Sequence, residues 1–208
     1  MKLKIKTMVV GPIATNCYLL KEEESGHGLL IDPGAEPERI LTAVLAEKTS
    51  IDGILLTHGH FDHIGGVKRL KEEFQAPVYL GKRETVIVSN PHYNLSANMA
   101  EPFTVGYDFL VSDGQVLRFS DMSGLEIKVI ATPGHTIGGV CYYLDGILFS
   151  GDTLFASSYG RVDLPTGDEI QILNSIKNKL LCLPEDTQVF PGHGGSTVIE
   201  REKFYYNI

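Results

Sequence analysis

Residues 57–63, with the sequence THGHFDH, contain three histidines and one aspartate within seven positions. They follow the apolar run 54–56 and precede the pair Gly65 and Gly66, after which the sequence becomes helix-like. The apolar pattern of a strand stops at Thr57, so we place the motif where a strand passes into a helix. Imidazole nitrogens and carboxylate oxygens together are the ligand set of Zn²⁺ and of non-haem iron or manganese. The stretch therefore predicts a metal site.

The composition is that of an ordinary globular protein, with 208 residues of which 43% are hydrophobic and 21% charged. The net charge of −8 disfavours binding to nucleic acid or to an anionic membrane surface. The first thirty residues lack a basic and apolar leader, and no apolar stretch reaches membrane-spanning length. We therefore expect a soluble, cytoplasmic protein. Three widely spaced cysteines without a C-x-x-C pair predict free thiols: Cys17, Cys141 and Cys182.

Short apolar runs alternate with amphipathic stretches along the chain, which is typical of an α/β protein. Turn residues separate them, and Asp145 with Gly146 is a strong hairpin signal. The predicted strands are residues 2–10, 16–20, 28–31, 51–56, 78–80, 116–119, 125–131, 140–144, 147–150 and 187–190. The predicted helices are residues 36–48, 67–74, 82–88, 169–181 and 198–204. Residues 89–112 show no clear period, so we expect an irregular excursion of the kind that often borders a site. No linker divides the chain, and we expect a single domain over residues 1–208.

Three further metal-capable side chains follow the ends of apolar runs. His135, Asp152 and His193 each come directly after a glycine, at Gly134, Gly151 and Gly192. A glycine lets the backbone turn tightly and lets a ligand or metal approach closely. The pattern predicts that four strand ends converge on one place.

Four motifs then stand in one order along the chain: THGHFDH, PGHT (residues 133–136), GDTLF (residues 151–155) and PGHG (residues 191–194). With these motifs the sequence resembles the metallo-β-lactamase fold superfamily across nearly its whole length. The resemblance implies a four-layer αββα sandwich of two mixed β-sheets flanked by helices. It also implies a site for two metal ions at one edge of the sheets.

Matched position by position, the resemblance implies seven metal ligands. Those of the first ion are His58, His60 and His135, those of the second are Asp62, His63 and His193, and Asp152 bridges both. Asp62 is also the expected catalytic residue, which orients the hydroxide held between the metals or shuttles its proton. We expect two divalent ions, zinc in the first place, with iron or manganese as alternatives. The hydroxide shared by such a pair would attack an acyl carbonyl whose oxygen is polarised by one metal, while the other metal stabilises the departing group.

The segments GDTLF and GRVD (residues 160–163) look most like glyoxalase II, the hydroxyacylglutathione hydrolases, and their short relatives. That branch implies hydrolysis of a thioester such as S-lactoylglutathione, or of a related small acyl substrate, by a metal-bridging hydroxide. Arg161 falls where the branch places a basic residue beside the substrate, although it could pair with Asp163 instead. A cysteine in place of the bridging carboxylate would be typical of β-lactamases, and a glutamate in place of His60 would indicate diiron flavoproteins.

The sequence also departs from full-length glyoxalase II. It stops soon after His193, without the C-terminal helical domain, and Gly194 and Gly195 replace a tyrosine of that family. Ile137 stands where the short relatives have proline after GHT. The alternative function is a persulfide dioxygenase-like enzyme with one iron held by His58, His135 and Asp152. A non-catalytic metal-binding module is a third hypothesis. RNA processing is disfavoured by the acidity, and the oligomeric state stays open.

Overall fold

The first half of the chain forms a six-stranded mixed sheet in the computed structural model, which describes residues 2–122 and 124–207. Met1, Ser123 and Ile208, which belong to the expected domain, lie outside the described residues. The strands are β1 (Leu3–Val10), β2 (Thr15–Glu22), β3 (His27–Ile31), β4 (Ser50–Leu55), β5 (Val78–Gly81) and β6 (Phe109–Val111). They neighbour one another in chain order; β1 to β3 pair antiparallel and β3 to β6 pair parallel.

The second half forms another six-stranded mixed sheet, with the spatial order β12-β11-β10-β9-β8-β7 once its strands are numbered along the chain. These strands are β7 (Val116–Arg118), β8 (Glu126–Ala131), β9 (Val140–Leu144), β10 (Ile147–Gly151), β11 (Gln188–Pro191) and β12 (Thr197–Val198). Only β10 and β11 pair parallel; the other neighbours are antiparallel. Asp145 and Gly146 join β9 to β10 with φ angles of 42° and 74°. Both central residues of a type I′ turn need positive φ, and the predicted hairpin is confirmed.

The helices are α1 (Pro37–Ala46), α2 (Phe61–Ile64), α3 (Val67–Phe74), α4 (Thr85–Val88), α5 (Glu169–Ser175) and α6 (Ile199–Tyr205). A 3₁₀ turn, Lys82–Glu84, precedes α4, and a π-helical turn, Ile176–Leu180, continues α5. Within residues 2–122 and 124–207, no helix has the length and apolarity needed to cross a membrane.

Three buried apolar clusters divide these elements into four layers. Successive residues of a strand face opposite sides of its sheet, so Leu19 packs with α1 and α3 while Leu20 packs against the second sheet. Tyr142 and Phe149 of the second sheet fill the cluster between the sheets, and Ile172 of α5 joins the cluster on the outer face. Each fully buried side chain of this size contributes about 1.5–3 kcal/mol relative to exposure. The predicted αββα sandwich with two mixed sheets is confirmed.

The predicted strands and helices agree closely with the observed ones, and the misses are short elements. Residues 109–111, predicted to be irregular, form β6 by pairing with β5. Phe109 and Leu110 are exposed there, so the segment has no alternating pattern. The strand β12 has two residues, and α2 begins inside the seven-residue motif. Pairing and packing with distant segments, rather than local sequence, create these three elements.

Candidate metal centre

The candidate metal ligands all lie where strands end at one edge of the two sheets. The motif follows the carboxyl end of β4 and continues into α2, while His135 lies between β8 and β9. Asp152 follows β10 and His193 follows the neighbouring strand β11. Parallel neighbours such as β10 and β11 have their carboxyl ends side by side. The structure therefore brings together the seven side chains that the sequence singled out.

The first group consists of His58, His60 and His135. Their ring nitrogens lie within 4.8 Å of one another, and all three side chains are buried. The closest approach joins Nδ1 of His60 to Nε2 of His135 at 2.9 Å. Three converging imidazoles form a donor set suited to zinc or iron.

The second group consists of Asp62, His63 and His193. Oδ2 of Asp62 lies 3.3 Å from Nε2 of His63 and 3.2 Å from Nε2 of His193. The buried hydroxyl of Thr15 donates to the same oxygen at 2.7 Å. These contacts turn the carboxylate of Asp62 toward the two rings.

Asp152 lies between the two groups. Its Oδ1 is 3.4 Å from Nε2 of His63, and its Oδ2 is 3.6 Å from Nε2 of His135 and 3.5 Å from Nε2 of His193. One carboxylate therefore faces nitrogens of both groups, which is the position that a bridging ligand needs.

Several buried atoms at this centre have no hydrogen-bond partner among the described residues. They are Nε2 of His58, of His60 and of His63, and Oδ1 of Asp152. Buried polar atoms almost always have a partner, because losing water without replacement costs free energy. Nitrogen lone pairs and carboxylate oxygens are metal donors, so the residues present fit divalent cations. For His60 the nitrogen that faces the other rings is Nδ1.

The other ring nitrogens are engaged in ways that orient three of the histidines. Nδ1 of His58 lies 3.2 Å from Oγ1 of Thr57, and Nδ1 of His135 lies 2.7 Å from the carbonyl oxygen of Arg161. Nδ1 of His63 lies 2.9 Å from Oδ2 of Asp32. A proton on each Nδ1 leaves the lone pair of Nε2 free for a metal.

Asp32 supports the centre and also forms a turn. Its carboxylate accepts hydrogen bonds from the backbone N–H and the hydroxyl of Thr57, at 2.8 and 2.6 Å, in addition to its contact with His63. Its φ of 48° bends the chain after β3. Asp32 therefore both orients His63 and forms the turn after β3.

Burial and charge set the protonation of the centre. Burial lowers the pKa of His60 to about 3 and also lowers the pKa of His58 and of His135. Burial alone would raise the pKa of Asp62 and of Asp152, but the nearby histidines outweigh it and lower both values. The first group is therefore neutral and the carboxylates are ionised, which are the forms that bind metal.

The second group lies among more negative charge than the first. Burial disfavours a charged His63, yet the carboxylates of Asp62, Asp152 and Asp32 raise its pKa well above the usual value. The pKa of His193 is raised as well, because its hydrogen bond with Asp62 and the charge of Asp152 outweigh burial. Positive charge is thus favoured here, and a divalent cation would supply it.

Two supporting residues escaped the sequence analysis. Thr15 contacts Asp62 from the start of β2, and Glu84 contacts the backbone of the motif from the end of a 3₁₀ turn. Burial raises the pKa of the fully buried Glu84 to about 7, against the effect of its hydrogen bonds. Thr15 and Glu84 belong to no recognisable sequence motif, so their roles become visible only from their neighbours in the folded structure.

Arg161 contacts the centre through its backbone alone. Its exposed guanidinium forms two hydrogen bonds of 2.7 Å with the carboxylate of Asp163, while its carbonyl oxygen faces His135. The ion pair that the sequence left open is present.

A separate group lies at the opposite end of β3. Nδ1 of His27 is 2.7 Å from Oδ1 of Asp52, and Asp121 is nearby. The hydrogen bond with Asp52 raises the pKa of His27. This histidine takes no part in the metal centre.

Comparison with known proteins identifies the family. A family model described as the metallo-beta-lactamase superfamily matches residues 10–193. The chain belongs to the metallo-β-lactamase superfamily. It is 35% identical to the probable metallo-hydrolase YqgX of Bacillus subtilis, over 97% of this chain and 95% of that protein. It is 29% identical to the hydroxyacylglutathione hydrolase GloC of Haemophilus influenzae, again over 97% and 95%.

Solved structures of the superfamily are also similar. The B3 metallo-β-lactamase BLEG-1 has 39% identity and a TM-score of 0.90, over 97% of both chains. The di-iron-bound form of TTHA1623 has 34% identity and a TM-score of 0.82, over 95% of this chain and 96% of that one. The superfamily member described here is thus a metallo-hydrolase-type enzyme whose histidine and aspartate clusters suit divalent metal ions.

Proposed function

We propose that the protein is a dinuclear metal-dependent hydrolase that cleaves a thioester of the glyoxalase II type. The observation that carries the proposal is the carboxylate of Asp152, which faces both histidine groups while no cysteine takes its place. The hydroxyacylglutathione hydrolase GloC, 29% identical over nearly the whole chain, supports the thioester as substrate class. S-lactoylglutathione is the first substrate to test.

The proposed ligands divide between two ions as the geometry groups them. His58, His60 and His135 would hold the first ion, Asp62, His63 and His193 would hold the second, and Asp152 would contact both. When bound, two divalent cations polarise the acyl carbonyl and make water a stronger nucleophile at neutral pH. Zinc suits this donor set, and the di-iron-bound form of TTHA1623 makes iron the alternative to test.

Asp62 is the proposed catalytic residue. The hydroxyl of Thr15 donates to its Oδ2, and this contact holds the carboxylate toward His63 and His193. The histidines lower its pKa, which favours the ionised form. A strongly acidic carboxyl group is a weak base. Asp62 therefore orients the attacking water by accepting a hydrogen bond from it, and does not become protonated by it.

Arg161 is the proposed contact for an anionic part of the substrate. Its guanidinium is exposed and is now paired with Asp163, so an incoming carboxylate would exchange with that partner. Arg161→Ala should raise KM for an anionic thioester roughly tenfold with little change in kcat, because it removes substrate binding alone. Asp163→Ala is the matched control, since it frees the cation and should not raise KM. Unchanged kinetics in Arg161→Ala would remove Arg161 from the site.

Two other reactions compete with thioester hydrolysis. Similarity to the B3 metallo-β-lactamase BLEG-1, at 39% identity, favours β-lactam hydrolysis as the second candidate. The persulfide dioxygenase-like alternative would use one iron at His58, His135 and Asp152, a two-histidine, one-carboxylate set. The two alternatives differ from the proposal in substrate, metal content or need for oxygen.

The deciding experiment combines metal analysis with a substrate panel. Purified untagged protein is first analysed for bound metals. It is then assayed with S-lactoylglutathione, other thioesters, a lactone and a chromogenic β-lactam. Glutathione persulfide is tested separately, with oxygen uptake followed by an oxygen electrode. We expect two metal ions per chain and a kcat/KM for a thioester at least about tenfold above the other substrates. Turnover confined to the β-lactam, or oxygen uptake with a single iron, would replace the proposal with the corresponding alternative.

A further inference from the structure

A buried carboxylate outside the metal-binding groups links two of their loops. Glu84, at the end of the 3₁₀ turn Lys82–Glu84, has no exposed surface. Its Oε2 accepts a hydrogen bond of 2.7 Å from the backbone N–H of Gly59, and its Oε1 accepts one of 2.8 Å from that of Gly138. Gly59 stands between His58 and His60, and Gly138 lies three residues after His135. One side chain thus connects the backbones that carry all three histidines of the first group.

The segment around Glu84 is packed tightly into both loops. A Cβ atom on Gly59 would lie 2.8 Å from Cγ1 of Val88, and one on Gly138 would overlap the backbone of Arg83 and Glu84. A Cβ atom on Gly81 would overlap the carbonyl oxygen of Gly138. Both loops therefore pack so closely against this segment that none of these three glycines could carry a side chain without displacing it.

The second group has different supports. Thr15 holds Asp62, and Asp32 holds His63; neither residue is bonded to Glu84. His193 is approached by Asp62 and Asp152 and follows β11, so it belongs to neither of the two loops that Glu84 joins. The two hydrogen bonds of Glu84 therefore fall on backbone next to or near ligands of the first group, whereas Asp62 and His63 have supports of their own.

We propose that Glu84 is a positioning residue for the first metal: by bridging Gly59 and Gly138 it sets the spacing between the His58–His60 loop and His135. The inference rests on the proposed two-metal function but concerns one ion alone. A carboxylate accepts from both N–H groups, whereas glutamine offers one carbonyl oxygen and turns an NH₂ group toward the second N–H. Glu84→Gln therefore breaks one of the two links at nearly constant volume.

The test measures zinc affinity in single-site backgrounds by competition with a chelator. His193→Ala leaves the first group intact, and His135→Ala leaves the second. Adding Glu84→Gln to the His193→Ala background should raise the Kd for zinc by about 10–100-fold, the usual effect of losing a support behind a metal ligand. In the His135→Ala background, adding Glu84→Gln should change the Kd for zinc by less than about twofold, because the second group keeps its own supports. Equal weakening in both backgrounds, or none, would overturn the proposal.

Glu202 offers a matched control. It is also fully buried, with Oε1 accepting from the hydroxyl of Thr197 at 2.6 Å and Oε2 from the backbone N–H of Ser157 at 2.9 Å. Glu202→Gln should lower the unfolding temperature without changing zinc affinity, and equal weakening by this variant would mark the Glu84 effect as general destabilisation. If Glu84→Gln does not fold, Glu84→Asp keeps the charge but is too short to reach both loops, with the same expected selectivity.

The outcomes also separate this inference from the proposed function. A native chain that binds no zinc, iron or manganese would end the two-metal proposal itself. A native chain that binds two zinc ions, with neither affinity changed in Glu84→Gln, would end the role of Glu84 alone.

Discussion

At the scale of single residues, the chemistry depends on which atom of each side chain is free. The Nδ1 atoms of His58, His63 and His135 are engaged by a hydroxyl, a carboxylate and a carbonyl oxygen, so their Nε2 atoms face the centre. Asp32 and Arg161 contribute to this orientation, the latter through its backbone. In these three histidines the contact at Nδ1 fixes the orientation of the ring and leaves Nε2 for a metal.

Asp152→Ala should abolish bridging between the two groups. The carboxylate faces His63, His135 and His193, so we expect loss of at least one bound metal ion and a fall in kcat of at least about 100-fold. Metal content by elemental analysis and steady-state kinetics check this. Asp163→Ala, on an exposed aspartate, is the control and should keep its metal. A variant of Asp152 that retains both ions would contradict the bridging role.

At the scale of elements, strand ends and short helices carry the ligands. The four-residue helix α2 presents Asp62 and His63 in succession, one contacting Thr15 and the other Asp32. The excursion that precedes β6 supports this helix, because the carbonyl oxygen of Asn94 accepts from the backbone N–H of Phe61 at 2.8 Å. The segment that lacked a clear sequence pattern therefore borders the site, as expected.

Gly34→Ala should displace α2. A Cβ atom at Gly34 would overlap the carbonyl oxygen of Asp62, so the β3–α1 loop and the helix cannot keep their present distance. We expect a loss of about 3 kcal/mol or more in the free energy of unfolding, since backbone cannot yield as a flexible side chain does. Urea denaturation measures this loss.

Gly106→Ala, in the segment before β6, is the matched control for the substitution at Gly34, because a Cβ atom at Gly106 meets nothing within 4 Å. It should change the free energy of unfolding by less than about 0.5 kcal/mol. Equal stability of Gly34→Ala and Gly106→Ala would show that the β3–α1 loop moves freely, contrary to the packing described.

At the scale of the whole molecule, the metal centre joins the two sheets. The motif at residues 57–63 follows a strand of the first sheet, whereas His135, Asp152 and His193 follow or precede strands of the second. Bound cations would therefore cross-link the halves of the sandwich and reduce the repulsion between buried carboxylates. They would also offset part of the net charge of −8.

Metal removal should lower the unfolding temperature. A ligand that binds only the folded state stabilises it by about 4 kcal/mol at a concentration of roughly 1,000 times its Kd. For a chain of this size that corresponds to a shift of about 10 °C. Thermal unfolding with and without a chelator, followed by zinc addition, measures the shift. Equal temperatures in the two states, for protein shown to load metal, would contradict a cross-linking role.

The seven-residue motif and the later glycine-preceded ligands predicted the clustering of these side chains, and the resemblance carried by the four ordered motifs implied the αββα fold. Apolar alternation is local information, so β9, α3 and the Asp145–Gly146 turn were all correctly predicted from the residues themselves. The short strand β6 was missed, because its exposed Phe109 and Leu110 are ordered by pairing with β5.

The sequence by itself thus determined the element order and the α/β class, and its resemblance to a known family implied the αββα sandwich and the residues that meet at the sheet edge. Each of these depends on local periodicity or on an ordered set of motifs. Only the tertiary structure decided what supports those residues. Thr15 donates to Asp62, Asp32 contacts His63, and Glu84 accepts from the backbone of two loops. It also paired Arg161 with Asp163. The contacts of Thr15, Asp32 and Glu84 join segments far apart along the chain, where a buried hydroxyl or carboxylate has no local pattern to reveal its partner.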